Sequence, residues 1–236
     1  MKNKTLLIIL FVLATVFQTA KAQTMKYNSL DKLLQKHVNS LGEVNYKTIL
    51  TDKQLLQSSL DEFTKNQPKD SWSKNETLSY WINAYNAFTI KLIIDNYPVK
   101  SIKDIKNPWD QEFIPIGKNP MSLSEIEHEI LRKMNEPRIH FAIVCASVSC
   151  PKLLNEAYVP SKLDLQLTVA TEEFLADKNR NEISQNNIEI SKIFSWFSKD
   201  FTQNGTLIDF LNDYSEIEIS PNAKKSYKDY NWDLNE

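Results

Sequence analysis

The chain has 236 residues, with 28 basic against 30 acidic side chains and a formal net charge of −2. That length suits one domain with a sizeable core, and the charge balance supplies no general field for nucleic acid or an anionic membrane surface. Gly42, Gly117 and Gly205 are too isolated to build a phosphate-cradling loop, and two cysteines without a CxxC plus three scattered histidines argue against a zinc site.

The first element in chain order is a targeting signal. Met1-Lys2-Asn3-Lys4 is a basic start, and Leu6 begins an apolar run to Phe17 that is short for a bilayer span. Ala20-Lys21-Ala22 is the small-x-small pattern of a cleavage site. The expectation is a signal peptide over 1–22 and one exported domain over 23–236, periplasmic or extracellular. No later apolar run reaches the roughly 18 residues of a spanning helix, so the mature chain has no expected transmembrane segment.

Residues 27–41 carry Leu30, Leu33, Leu34, His37 and Val38 at helical spacing, which predicts a helix ended by Gly42. "GEVNY" then leads into a short helix, and 55–64 predicts another. The strongest helix is 76–97. Trp81, Tyr85, Phe88 and Leu92 share one stripe, while Asn83, Ile90 and Ile94 fall opposite, with Asn86 about 60° away. Apolar residues on both sides mean burial nearly all round. Asn83 and Asn86 are then polar groups inside protein, each needing partners or costing about 1–3 kcal/mol. They either tie neighbouring loops to the helix or face a pocket and orient a bound group.

"QEFIPIGKNPMSL" predicts an irregular hairpin, and 122–134 a helix opened by the capping box Ser122-x-x-Glu125. Leu123, Ile126, Ile130 and Met134 mark its buried stripe. Glu127 lies within that stripe, His128 near its edge, and Arg132 one turn below His128. A carboxylate on an apolar stripe is either paired internally or a working acid or base. In "HFAIVCASVSCP", 139–145 has the length and polarity of a buried strand. A straight strand would set His140 and Cys145 on opposite faces roughly 16 Å apart, which excludes a local Cys–His pair. His128 or His37 could reach Cys145 only by tertiary folding. An exported chain permits a Cys145–Cys150 disulfide as well as a free catalytic thiol. Helices over 163–177 and 206–214 and an extended stretch at 187–193 complete the pattern. The expected class is α+β, a mostly helical single domain with a small, mainly antiparallel sheet.

The stretches "GEVNY", "LSYWINAYNAFTI", "SLSEIEHEILR", "RIHFAIVCASVSCP", "IFSWFSKDF" and "DYNWDLN", in that order, resemble exported bacterial members of the domain-of-unknown-function 547 family. The resemblance covers roughly residues 31–235. It implies weight on Asn83, Asn86, Glu127, His128, Arg132, His140, Cys145 and Pro151. It also implies a functional thiol at Cys145, because the position of Cys150 varies while that of Cys145 does not. Ala146 stands where many relatives have Gly. The family name implies no assigned activity.

Three readings follow. In a cysteine-dependent hydrolase or transferase acting on a small peptide, amide or thiol conjugate, Cys145 is the nucleophile and His128 its base, with Glu127, Asn83 or Asn86 orienting. In a non-catalytic binding domain, the same buried polar groups form a network around a site for a small molecule or peptide. In a carboxylate-based enzyme, Glu127 works with Glu43. None of the three calls for a cofactor or a metal.

Overall fold

The computed structural model describes residues 25–236, so the expected signal peptide lies outside the described residues. Helix α1 (Asn28–His37) ends before the predicted boundary. Beyond it Val38 pairs with Val44, and the Asn39 side chain accepts the backbone N–H groups of Leu41 and Glu43. This Asx-type turn takes over the donors a continued helix would have used. Gly42 sits in it at φ 82°, and a Cβ there would lie 2.6 Å from the Lys152 side chain. Helices α2 (Tyr46–Ile49) and α3 (Lys53–Lys65) follow as expected.

Helix α4 (Lys74–Asn96) is the axis of the molecule. Ser73 and Glu76 form a capping box at its start, which fixes where it begins. Both stripes are buried, so loops as well as helices pack around it. A large apolar core containing Leu30, Phe63, Tyr80, Phe88 and Ile126 forms on this axis. A second core gathers around Phe141, whose ring lies 5.0 Å from Phe174 and 5.7 Å from Phe194 and Phe201. Its walls are α5 (Leu163–Ala176), α6 (Ile193–Trp196), α7 (Ser198–Phe201) and α8 (Leu207–Tyr214). The small sheet runs β1 (Glu182–Ile183), β2 (Asn187–Ile190), β3 (Lys224–Tyr227). It is α+β as expected, though the sheet is mixed: β1–β2 is antiparallel and β2–β3 parallel.

Two local expectations are corrected. Residues 139–145 are not a strand. Pro137–Phe141 is a 3₁₀ turn capped by the Glu136 side chain, and the chain then continues as a buried loop. Among the described residues no strand pairs with 139–145. The Asn86 amide donates to Ala142 O and accepts from Val144 N, both at 2.9 Å, supplying the partners a sheet would have supplied. Residues 122–134 are helical but wound differently. The capping box is present, yet Glu125–Leu131 is π-helix and Arg132–Met134 is 3₁₀. The wider turn moves the buried face to Ile126, Glu127 and Leu131, while Ile130 and Met134 lie only partly covered.

A final segment, 229–235, crosses the loops that the helices leave open. Asn235 O accepts from Val44 N, Asp233 O from Val148 N, and Trp232 O from the Ser101 hydroxyl. Among the described residues no helix is long and apolar enough to cross a membrane.

Candidate functional site

The two buried asparagines on α4 act on neighbouring loops. Asn83, 2% exposed, donates to Tyr158 O at 2.7 Å and accepts from Tyr158 N at 2.9 Å. Asn86, 4% exposed, holds the 142–144 loop in the same bidentate way. Neither amide lines the cavity described below. Of the two roles left open for them, both tie a neighbouring loop to α4 rather than face this cavity, although both were expected as binding residues, and Asn86 sets the path of the chain just before Cys145.

The π-helix presents Glu127 inward and His128 outward. Glu127 is 8% exposed, and its Oε2 accepts from the Tyr85 hydroxyl at 3.2 Å. Burial, and then the charge of Glu127, hold the Tyr85 phenol well above its ordinary range, so it remains a donor. Among the described residues no Lys, Arg or His lies within ion-pair distance of Glu127. The nearby guanidinium is engaged elsewhere: Arg132 makes a two-pronged pair with Asp200, at 2.6 and 2.9 Å. His140 Nε2 donates to the same carboxylate at 2.8 Å, and its ring stacks on Phe197 at 4.0 Å. Burial alone would raise the Asp200 pKa. The hydrogen bonds and charges of His140 and Arg132 outweigh it and hold the carboxyl well below the usual range.

Above Glu127 lies a cavity of about 260 Å³ where the two apolar cores meet. Its walls are mostly aromatic: Tyr85, Trp109, Trp196, Phe197, Tyr230 and Trp232. Trp196, Tyr230 and Trp232 form a cluster with ring centres 4.6 to 5.7 Å apart. Cys145 and Cys150 contribute one wall.

The expected nucleophile is not a free thiol. Cys145 and Cys150 form a disulfide, with Cα atoms 6.3 Å apart. The expected base makes no hydrogen bond to it either. His128 Nδ1 lies 3.2 Å from the Arg132 guanidinium, which can only donate, so Nδ1 accepts and the neutral ring carries its proton on Nε2. His37 is spent in the core on Thr48 and Asp52. Glu43, exposed in the turn after α1 and bonded to Asn39, borders a different cavity. The carboxylate pair with Glu127 is therefore not assembled.

Glu127, His128, His140, Cys145 and Pro151 do converge on one cavity, and Arg132 joins them through Asp200. Sequence reasoning missed Asp200, Tyr230 and the tryptophan walls. For Asp200, Tyr230, Trp196 and Trp232 the available signal was their place in "IFSWFSKDF" and "DYNWDLN", where aromatics and acids stand together without helical period; Trp109 lies in neither stretch. Tyr85 was legible as a stripe residue but not as the donor to Glu127. Among the described residues no cluster of three or more His, Cys, Asp or Glu could hold a metal ion.

A protein-family model described as "Protein of unknown function, DUF547" matches residues 69–175. That span holds the cavity's Tyr85, Trp109, Glu127, His128, His140 and both cysteines, while Trp196, Phe197, Tyr230 and Trp232 lie beyond it. No curated protein and no solved structure matches the chain.

Proposed function

With residues 69–175 matched by the model of the DUF547 family, whose name assigns no activity, we propose a function from the cavity itself: an exported binding domain for a small organic cation. The ligand is an amine or quaternary ammonium group, free or carried on a peptide. The observation that supports this is Glu127, a buried carboxylate with no Lys, Arg or His within ion-pair distance among the described residues, facing walls of tryptophan and tyrosine. A buried carboxylate with a single phenolic donor is left short of stabilisation, and a cation restores it. Aromatic faces attract the same charge, by about 0.5–1 kcal/mol when exposed and about 2 when desolvated. At about 260 Å³ the space takes a compact head group rather than a whole drug-sized molecule. Export is supported by the 1–22 segment and by the disulfide, which persists in oxidising compartments.

Titration of the tryptophan fluorescence with choline and with its neutral isostere 3,3-dimethyl-1-butanol tests the reading. Choline is expected to bind at least about fivefold tighter, the equivalent of about 1 kcal/mol, and Glu127→Gln to remove most of that preference. Equal binding of the two probes, or no binding of choline, overturns it.

A further inference from the structure

The cavity wall carries a second chemistry that makes no use of Glu127, the residue on which the cation reading rests. We propose that the Cys145–Cys150 disulfide is a thiol–disulfide exchange site, in which a substrate thiolate attacks Cys145 and Cys150 is the leaving sulfur. The two sulfurs are unlike in access. Cys145 is partly exposed at the cavity, whereas Cys150 is 3% exposed.

They are also unlike in hydrogen bonding. Cys150 Sγ receives the Cys145 backbone N–H at 3.0 Å, the Ser147 hydroxyl at 3.2 Å and the Tyr230 hydroxyl at 3.3 Å. Cys145 Sγ has only the same two hydroxyls, at the longer distances of 3.4 and 3.5 Å. Each hydroxyl has one proton to give, and the backbone N–H belongs to Cys150 alone. Donors around a sulfur stabilise its thiolate, and the better-stabilised thiolate leaves faster. Burial pushes the Tyr230 phenol up to about 12, so it is still a donor at neutral pH.

Opening the bond leaves the loop in place. Arg180 donates to Val148 O and Cys150 O, Asp233 O accepts from Val148 N, and Ser149 is tied to Asn231 in both directions. Those bonds span the residues between the two cysteines, so both sulfurs stay within reach of each other for the return step.

The electrons balance over two displacements. In the first, the substrate thiolate bonds to Cys145 Sγ, the Cys145–Cys150 bond breaks, and Cys150 departs as a thiolate among its three donors. In the second, another thiolate attacks the substrate sulfur of that mixed disulfide and releases Cys145 as a thiolate, which takes a proton from water. Two thiols have become one disulfide and the protein holds two thiols. An external small-molecule disulfide reoxidises it by the reverse steps. The substrate class is a thiol on a small molecule or an exposed peptide chain that fits the cavity.

The test uses the folded, oxidised chain and reduced glutathione at pH 7, with acid quenching, alkylation and peptide mass measurement. Reduction is expected to proceed with the near-ultraviolet dichroism retained. Early time points should carry glutathione on Cys145, and reduced Cys150 should titrate below an ordinary thiol, about 8.5. Tyr230→Phe should slow reduction by about fivefold, the loss of one donor worth about 1 kcal/mol, and Ser147→Ala serves in its place should that variant misfold. Reduction only under denaturing conditions, glutathione first on Cys150, or donor variants that react at the parent rate would each overturn the proposal.

Discussion

Asp200 is the residue on which two side chains depend, Arg132 and His140. It holds the Arg132 guanidinium by two hydrogen bonds and fixes the His140 ring against Phe197, although its own position is remote in sequence from both. Replacing it with Asn leaves a guanidinium short of its counter-charge in a partly covered site, and Asp200→Asn should cost about 3 kcal/mol at neutral pH. The pH dependence has a definite sign. The carboxyl is depressed in the folded protein relative to its unfolded value near 3.9, so its contribution is present above that value. It is lost as the pH falls through the folded value. Urea unfolding of both proteins should therefore give a gap that is full at pH 7 and narrows below about pH 4. A gap independent of pH would mean that the lost contact is packing rather than charge.

At the scale of elements, what the chain carries in its periodicity is also what it builds most plainly. Helix α4 has two apolar stripes, and its 3.6-residue repeat alone implies burial on all sides with Asn83 and Asn86 inside. Two features resisted the same reasoning. An apolar run such as 139–145 specifies burial but not a partner, and here the partner is a side-chain amide 58 positions earlier in the case of Val144. The π-helix shifts the buried face by one position, a change no repeat of 3.6 residues contains. Asn86→Leu separates the two roles of that position, because it keeps much of the volume and removes both backbone bonds. It should destabilise by about 2–4 kcal/mol, with the unsatisfied Ala142 and Val144 groups as the cause. Thermal unfolding measures the cost. A surface substitution such as Asn75→Leu should fall within about 0.5 kcal/mol of the parent.

Over the whole molecule, one domain surrounds α4 and a second apolar core closes one side of it, so the cavity is made at a junction. The site was partly legible because Glu127, His128, His140 and Cys145 lie in two adjacent motifs. Its walls were not, since they come from sequence-distant stretches that only the packing of α6, α7 and segment 229–235 brings near. The 1–22 segment predicts that the mature protein recovered from an exporting cell begins at Gln23, which N-terminal sequencing reads directly. Recovery of Met1 on the folded, oxidised chain would remove that assignment.

Segment 229–235 has a consequence in time. It contributes Tyr230 and Trp232 to the cavity and fastens the loop between the cysteines, yet it is synthesised roughly 80 residues after Cys150. At about 5–20 residues per second, the interval is about 4 to 16 s. Throughout it both cysteines exist without Tyr230 beside them and without the bonds that hold their loop, so the pairing with Cys150 and the environment that sets its reactivity are not made together. The cavity acquires this wall only after residues 229–235 have emerged, and a protein made to residue 228 would hold Glu127 and both cysteines without the Tyr230 hydroxyl and the Trp232 ring beside them.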